Sequence, residues 1–287
     1  GVQTMVRPVV PAFEVPPGTP EGVCQTVTAR HMIREWRDGD FVISRKNAPL
    51  EPLAIMGIQQ GKSVVAVGLA DIQKVLRDVV NGAMRFNPTN GEEFRDAIEK
   101  YRVRRRGNID ENERRKRARA FSRMKEEKIE AFIEDLPEVR TLELATSAVQ
   151  SMSERVDSSA EIDKIIASVN YSAGRDSVPT SALKGKLAFT SVHKIKGAES
   201  PRVWVLNDTF AFQGSVDASG KPKIKHGEEM TDNARQEEIN LWYVAVTRAK
   251  NTRGGPPGEL YLVTGLKDVL GKSYVDDDAE EGKTKDA

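Results

Sequence analysis

Apolar residues come in two rhythms along this chain. Residues 23–27, 41–44 and 64–67 are short apolar runs bounded by polar breaks and read as strands. Between them, 29–36 and 49–57 carry the wider spacing of helices. From 71 to about 168 only the helical period remains, with breaks at Asn87-Pro88 to Gly91, at Gly107-Asn108, at Pro137 and at Asp157-Ser158-Ser159. Strand-like runs return at 187–192 and 203–206. A last helix is expected over 237–250, with Glu237 and Glu238 opening it, an apolar centre, Arg248 and Lys250 closing it, and Gly254 just beyond. Continuous apolar runs suit a parallel sheet covered on both faces. The expectation is therefore an α/β domain built from 21–70 and 186–270 and interrupted by an all-helical insertion at 71–185. Pro8, Pro11, Pro16, Pro17 and Pro20 make 1–20 a linker, and the acidic 271–287 reads as a flexible tail.

Composition narrows the class. With 38% hydrophobic and 30% charged residues, the 287-residue chain can hold one α/β domain with an insertion and a strongly solvated exterior. No run of about 18 apolar residues suggests a membrane span, so no membrane partner is expected. Cys24 is the one cysteine, which excludes an intrachain disulfide and fits a reducing compartment, cytoplasmic or nuclear. With only three histidines beside it, no metal site is expected on this chain.

Net charge is +1, yet basic residues crowd between Tyr101 and Lys128. Arg114, Arg115 and Arg117 head the cluster as candidate contacts to a phosphate backbone, at duplex or junction DNA. The alternative is a solvated helix face in which Glu126, Glu127 and Glu130 offer i,i+4 pairs.

Two segments carry specific chemistry. The loop after 187–192 gathers Ser191, His193, Lys196, Gly197 and Glu199, and the helix at 237–250 delivers Arg248 at its end. A guanidinium is always charged and forks to two oxygens, which suits a transferring phosphoryl group. Together the segments resemble motifs V and VI of UvrD/Rep-family superfamily 1 DNA helicases. His193, Lys196, Gly197 and Glu199 match the first motif, with Ser191 in the place of a threonine. Glu237, Glu238, Tyr243, Val244, Thr247, Arg248 and Ala249 match the second without a gap. A looser match at residues 39–48 resembles the family's strand followed by Arg-x-Asn-Ala.

The resemblance implies a second RecA-like motor domain, 2A, with a helical 2B-like insertion. It implies that Arg248 is the catalytic γ-phosphate arginine, that Glu199 contacts the nucleotide ribose, and that Lys196 and Gly197 lie near the phosphates. Ser191, His193, Arg45 and Asn47 would face single-stranded DNA. ATP and Mg2+ would be held mainly by a first, P-loop motor domain, and movement would run 3′ to 5′.

A phosphate-cradling loop needs Gly-x-x-x-x-Gly-Lys-Ser/Thr between a strand and the following helix. The nearest candidate, Gly57 to Ser63, has its glycines one residue too close and lies after a helix and before a strand. It reads as a turn, so the chain alone is expected to hydrolyse no ATP. A catalytically inactive DNA-binding or protein-interaction module with the same fold is the alternative. An unrelated nucleotide-binding enzyme is a third class, but no nucleophile, metal cluster or carboxylate pair supports it. The loop at 207–234 and the turn at 254–258 receive no role.

Overall fold

The computed structural model describes residues 22–69, 71–156, 158–171, 183–195, 197–210, 232–250 and 257–271. Lys196, the linker 1–20, the centre of the 207–234 loop, most of the 254–258 turn and nearly all of the acidic tail lie outside the described residues.

The chain runs β1 (Val23–Thr28), α1 (Ala29–Glu35), β2 (Phe41–Ser44), α2 (Leu50–Gln59) and β3 (Val64–Val67). A helical stretch follows: α3 (Asp71–Met84), α4 (Gly91–Lys116), α5 (Ala118–Phe121), α6 (Glu126–Glu134), α7 (Pro137–Ser153) and α8 (Ser159–Val169). Then come β4 (Asn170–Tyr171), β5 (Leu187–Ser191), β6 (Arg202–Leu206), α9 (Asp232–Val246), β7 (Glu259–Thr264) and α10 (Lys267–Leu270). The seven strands form one sheet in the order β1-β7-β6-β2-β5-β3-β4, and every pairing is parallel. This is an α/β, RecA-like sheet flanked by helices.

β2, β3 and β5 are buried along their whole length, which is why β3 is wholly apolar and β2 and β5 open on three apolar residues in a row. Successive side chains in a strand point to opposite faces, and the core divides accordingly. Val42, Ala66, Phe189, Trp204 and Leu206 meet α1, α2, α3, α4, α7 and α8 on one face. Phe41, Ile43, Val65, Val203 and Val205 meet the β5–β6 connection and α9 on the other. Burying each such large side chain contributes on the order of 1.5–3 kcal/mol. Trp36 packs edge-on against Phe189 at 5.6 Å and donates its indole N–H to Gln60.

The helical stretch is continuous with this core, because α3, α4, α7 and α8 share the sheet-facing cluster. Only Phe121, Ile129, Ile133 and Val139 form a separate nucleus, around α5 and α6. Several boundaries differ from the sequence reading, which placed no break at Arg117 or between Phe121 and Glu126. α4 passes through Gly107 unbroken, since a helical glycine costs only about 1 kcal/mol and acid–base pairs line that helix. The 71–185 stretch also contributes one short strand, β4, which extends the sheet beside β3. Asn90 caps α4 by accepting the Glu93 N–H, and Glu93 returns the contact to Thr89 at 2.7 Å. No helix among the described residues is long and apolar enough to cross a membrane.

Candidate functional site

The sequence-derived candidates fall on two opposite edges of the sheet. Parallel strands all end on one side, and β2, β5 and β6 finish there at Ser44, Ser191 and Leu206. Ser44 and Ser191 are register partners, and the Val192 N–H donates to the Ser44 carbonyl at 2.9 Å. Arg45 and His193 therefore leave the sheet side by side. His193 is exposed, whereas Ser191 is nearly covered. Asn47 is exposed on the turn that starts α2. Lys194 folds away and donates from Nζ to the Gly68 carbonyl at 3.2 Å.

From Ser191 the chain must return to the opposite edge to begin β6 in parallel, and β2 lies between the two strands. The connection carries Val192, Ile195 and Ala198 into the core beneath α9. It reaches the far edge at Glu199 and Ser200. α9 makes the same crossing. Midway along it Glu238 accepts from Arg45 Nε at 2.7 Å, and a turn further on Trp242 donates to Asn207 at 3.2 Å, both at the strand ends. At its far end the Ser200 N–H donates to the Arg248 carbonyl, and the Lys250 N–H donates to the Ser200 carbonyl, each at 3.0 Å. Glu238 and Arg248 are ten residues apart, which at 1.5 Å per helical residue is roughly 15 Å.

Arg248 differs from its neighbours. Its Nε donates to the Val244 carbonyl at 2.9 Å and its Nη2 to Thr247 Oγ1 at 3.0 Å. Both partners are neutral groups of its own helix end, and among the described residues no carboxylate neutralises it. A half-buried guanidinium without an acid retains its attraction for an external anion, so it fits a phosphate ligand. Glu199 is paired with Lys250 at 2.5 Å, both partly exposed. Gly197 adopts φ +82°, a conformation that favours glycine. The Lys196 assignment falls outside the described residues.

Behind the Arg248 turn stands a buried network that the sequence did not announce. Ser200 Oγ donates to the Gly39 carbonyl at 2.8 Å and accepts from the Arg202 N–H at 3.1 Å. Arg202 lies over the Trp204 ring at 4.6 Å and the Tyr261 ring at 5.2 Å, and pairs with Glu259 at 3.1 Å. Asp40 accepts from the Trp204 indole at 2.8 Å and faces Arg202 at 3.7 Å. Burial pushes the Asp40 carboxyl above its ordinary value, and the Trp204 hydrogen bond and the Arg202 charge pull against that rise. The clue was present in Gly39-Asp40 before an apolar run and in Arg202 beside Trp204, but only the sheet order joins them.

Three of the arginines singled out in sequence are engaged by acids, and a fourth, Arg115, stays exposed. Arg45 is engaged by Glu238. Arg114 pairs with Asp110 at 2.5 Å and Glu126 at 2.6 Å, and Arg117 pairs with Glu113 while lying over Phe132 at 4.7 Å. Arg115 donates to Asn112. Helical spacings of three and four residues bring most of these groups together, and the packing of α6 against the end of α4 adds Glu126 and Phe132, which makes Arg114 and Arg117 internally paired.

The glycine turn after α2 cradles no phosphate. The helix ends there, so carbonyls point out, and Arg155 Nη2 already caps the Gln59 carbonyl at 3.0 Å. Gly61 takes φ +79°, and β3 follows. Among the described residues no three His, Cys, Asp or Glu side chains converge as a metal site requires.

In comparisons with known proteins, the family model described as UvrD-like helicase C-terminal domain matches residues 71–252. No curated protein matches the chain. The matched region begins at α3 and ends just past the Arg248 turn, while β1, β2 and β3 precede it, β7 follows it, and the four complete its sheet.

Proposed function

Because the chain belongs to the UvrD-like helicase C-terminal family, whose match spans more than half of it, we propose that it is the second motor half of an ATP-dependent 3′–5′ DNA helicase or translocase. The reading rests above all on the separation of its candidate residues onto two edges joined by rigid elements. Ser191, His193 and Asn47 supply the strand edge. Arg248 and Glu199 supply the nucleotide edge, facing a P-loop motor domain that holds ATP and Mg2+.

In this reading ATP hydrolysis supplies the free energy for opening and closing the cleft. The chain's own part is positional. Arg248 meets charge that grows on the γ-phosphate, Glu199 turns from Lys250 towards the ribose, and Gly197 lets the backbone come close. α9 and the β5–β6 connection carry displacement across the sheet to the strand edge.

The test is the behaviour of the two edges when each is altered alone in the assembly with the P-loop domain. Arg248→Ala should abolish most strand-stimulated ATP turnover while leaving single-strand affinity within a few fold. Ser191→Ala and His193→Ala should weaken strand binding and its stimulation of turnover, with basal hydrolysis retained. Near-normal turnover in Arg248→Ala would replace the motor reading with that of a DNA-binding or protein-interaction module.

A further inference from the structure

Arg45 leaves β2 beside Ser191, at the centre of the strand edge, yet its guanidinium is held by Glu238, Nε to Oε1 at 2.7 Å. The two side chains are unequally covered, with Arg45 29% and Glu238 10% exposed. The Arg45 backbone is pinned separately, because its N–H donates to Thr209 Oγ1 at 3.0 Å. The guanidinium alone is free to change partner. A carboxylate and a phosphodiester present the same chemistry to it, a pair of anionic oxygens.

We infer that Glu238 is a built-in competitor for Arg45, a carboxylate that masks a strand-binding cation until a phosphodiester displaces it. The inference rests on the assignment of the Ser191–His193 edge to the strand. Displacement leaves a nearly covered carboxylate without this partner, so the mask lowers strand affinity. It also releases the tie between β2 and the middle of α9, the helix that leads directly to Arg248, and so gives strand arrival a route to the nucleotide edge.

The two halves of the pair should therefore respond in opposite directions, which a purely structural ion pair does not do. The experiment is fluorescence anisotropy of a labelled oligothymidylate titrated with this chain over about 50–300 mM salt. Glu238→Gln keeps the size and an acceptor oxygen, and should tighten binding about three- to tenfold with an unchanged salt slope. Arg45→Gln should weaken binding by a similar factor, and the log–log salt slope should fall by about 0.7 for the lost phosphate contact. The double variant should match Arg45→Gln. Glu238→Asp, which withdraws the charge by one methylene, should tighten binding partially and serves if the glutamine variant folds poorly.

Glu238 variants that bind no tighter than the parent overturn the masking, and so does an Arg45→Gln variant with unchanged affinity. If Ser191→Ala and His193→Ala weaken binding in the same titrations, the strand edge stands and only the masking fails. If they too leave affinity unchanged, the assignment of that edge fails first.

Discussion

The arginines of the helical layer and those of the sheet edges are held in different ways. At the end of α4, Arg114, Lys116 and Arg117 pair with acids three or four positions away, while Arg114 adds Glu126 of α6 and Arg102 adds Glu143 of α7 to their local partners. Such local pairs form on a helix almost regardless of the surrounding fold. At the sheet edges the partners are remote, as in Arg45 and Glu238, 193 positions apart, or Arg202 with Asp40 and Glu259. Arg248 has no acid among the described residues. Locally satisfied charge solvates a surface, remotely satisfied charge ties segments into one geometry, and unsatisfied charge awaits a ligand.

The largest effect that could break this contrast belongs to Arg248. Replacement by lysine keeps the charge but loses the planar fork, so steady-state ATP turnover in the assembly with the P-loop domain should remain far below the parent. The arginine itself is expected to provide roughly 10³–10⁵ in rate. Full rescue by lysine would reduce Arg248 to a point charge.

Next in size is the remote network. Arg202→Met removes one member of a nearly buried group and leaves Asp40 with only the exposed, more distant Arg37 as a cation. Breaking such a pair should lower unfolding free energy by about 3 kcal/mol, read by urea denaturation. By contrast, Arg114→Gln with Arg117→Gln should change stability by less than about 1 kcal/mol, because these pairs face solvent. The same double variant should leave the salt slope of DNA binding unaltered. A slope that dropped by one or more would show that strand phosphates outcompete the local acids.

Smallest and most specific is a pH effect. The folded chain retains the Asp40 proton above the ordinary value of 3.8, so in that window the folded state binds more protons than the unfolded one. The stabilising contribution is fully present below about pH 3.8 and is lost as pH rises through the folded pKa. Asp40→Asn removes this dependence. Its stability relative to the parent should climb as pH rises from about 4 and then level off, measured by thermal unfolding across a pH series. A flat difference would mean that Arg202 and Trp204 fully offset the burial.

Much of the fold was legible because β2 and β3 are buried on both faces, and burial of that kind writes an uninterrupted apolar run. The break read at Pro137 falls where α7 starts, a position at which its missing N–H costs nothing. β7 was passed over although Leu260 to Val263 form as continuous an apolar run as β3. The Arg248 turn and the Ser191–His193 loop could be picked out by residue type and spacing. Their placement on opposite edges follows from β5 and β6 running parallel, whereas the strand order that puts β2 between them, and so sets Arg45 beside Ser191, could not be read. Arg45 read as an open cation because nothing near it in sequence pointed to Glu238.

That interposed strand also governs how the polypeptide can be divided. β5 takes both of its neighbours, β2 and β3, from the first seventy residues, and β6 takes one of its two there. A polypeptide trimmed to begin at residue 71, where the family match starts, would keep every motif residue from Ser191 to Arg248. It would nonetheless synthesise β5 with no partner strand on either side. Unpaired, apolar strand edges of that kind seek other chains, so the trimmed product should accumulate as insoluble aggregate while the longer chain folds. The segment that the family match omits is thus the template on which the matched one assembles.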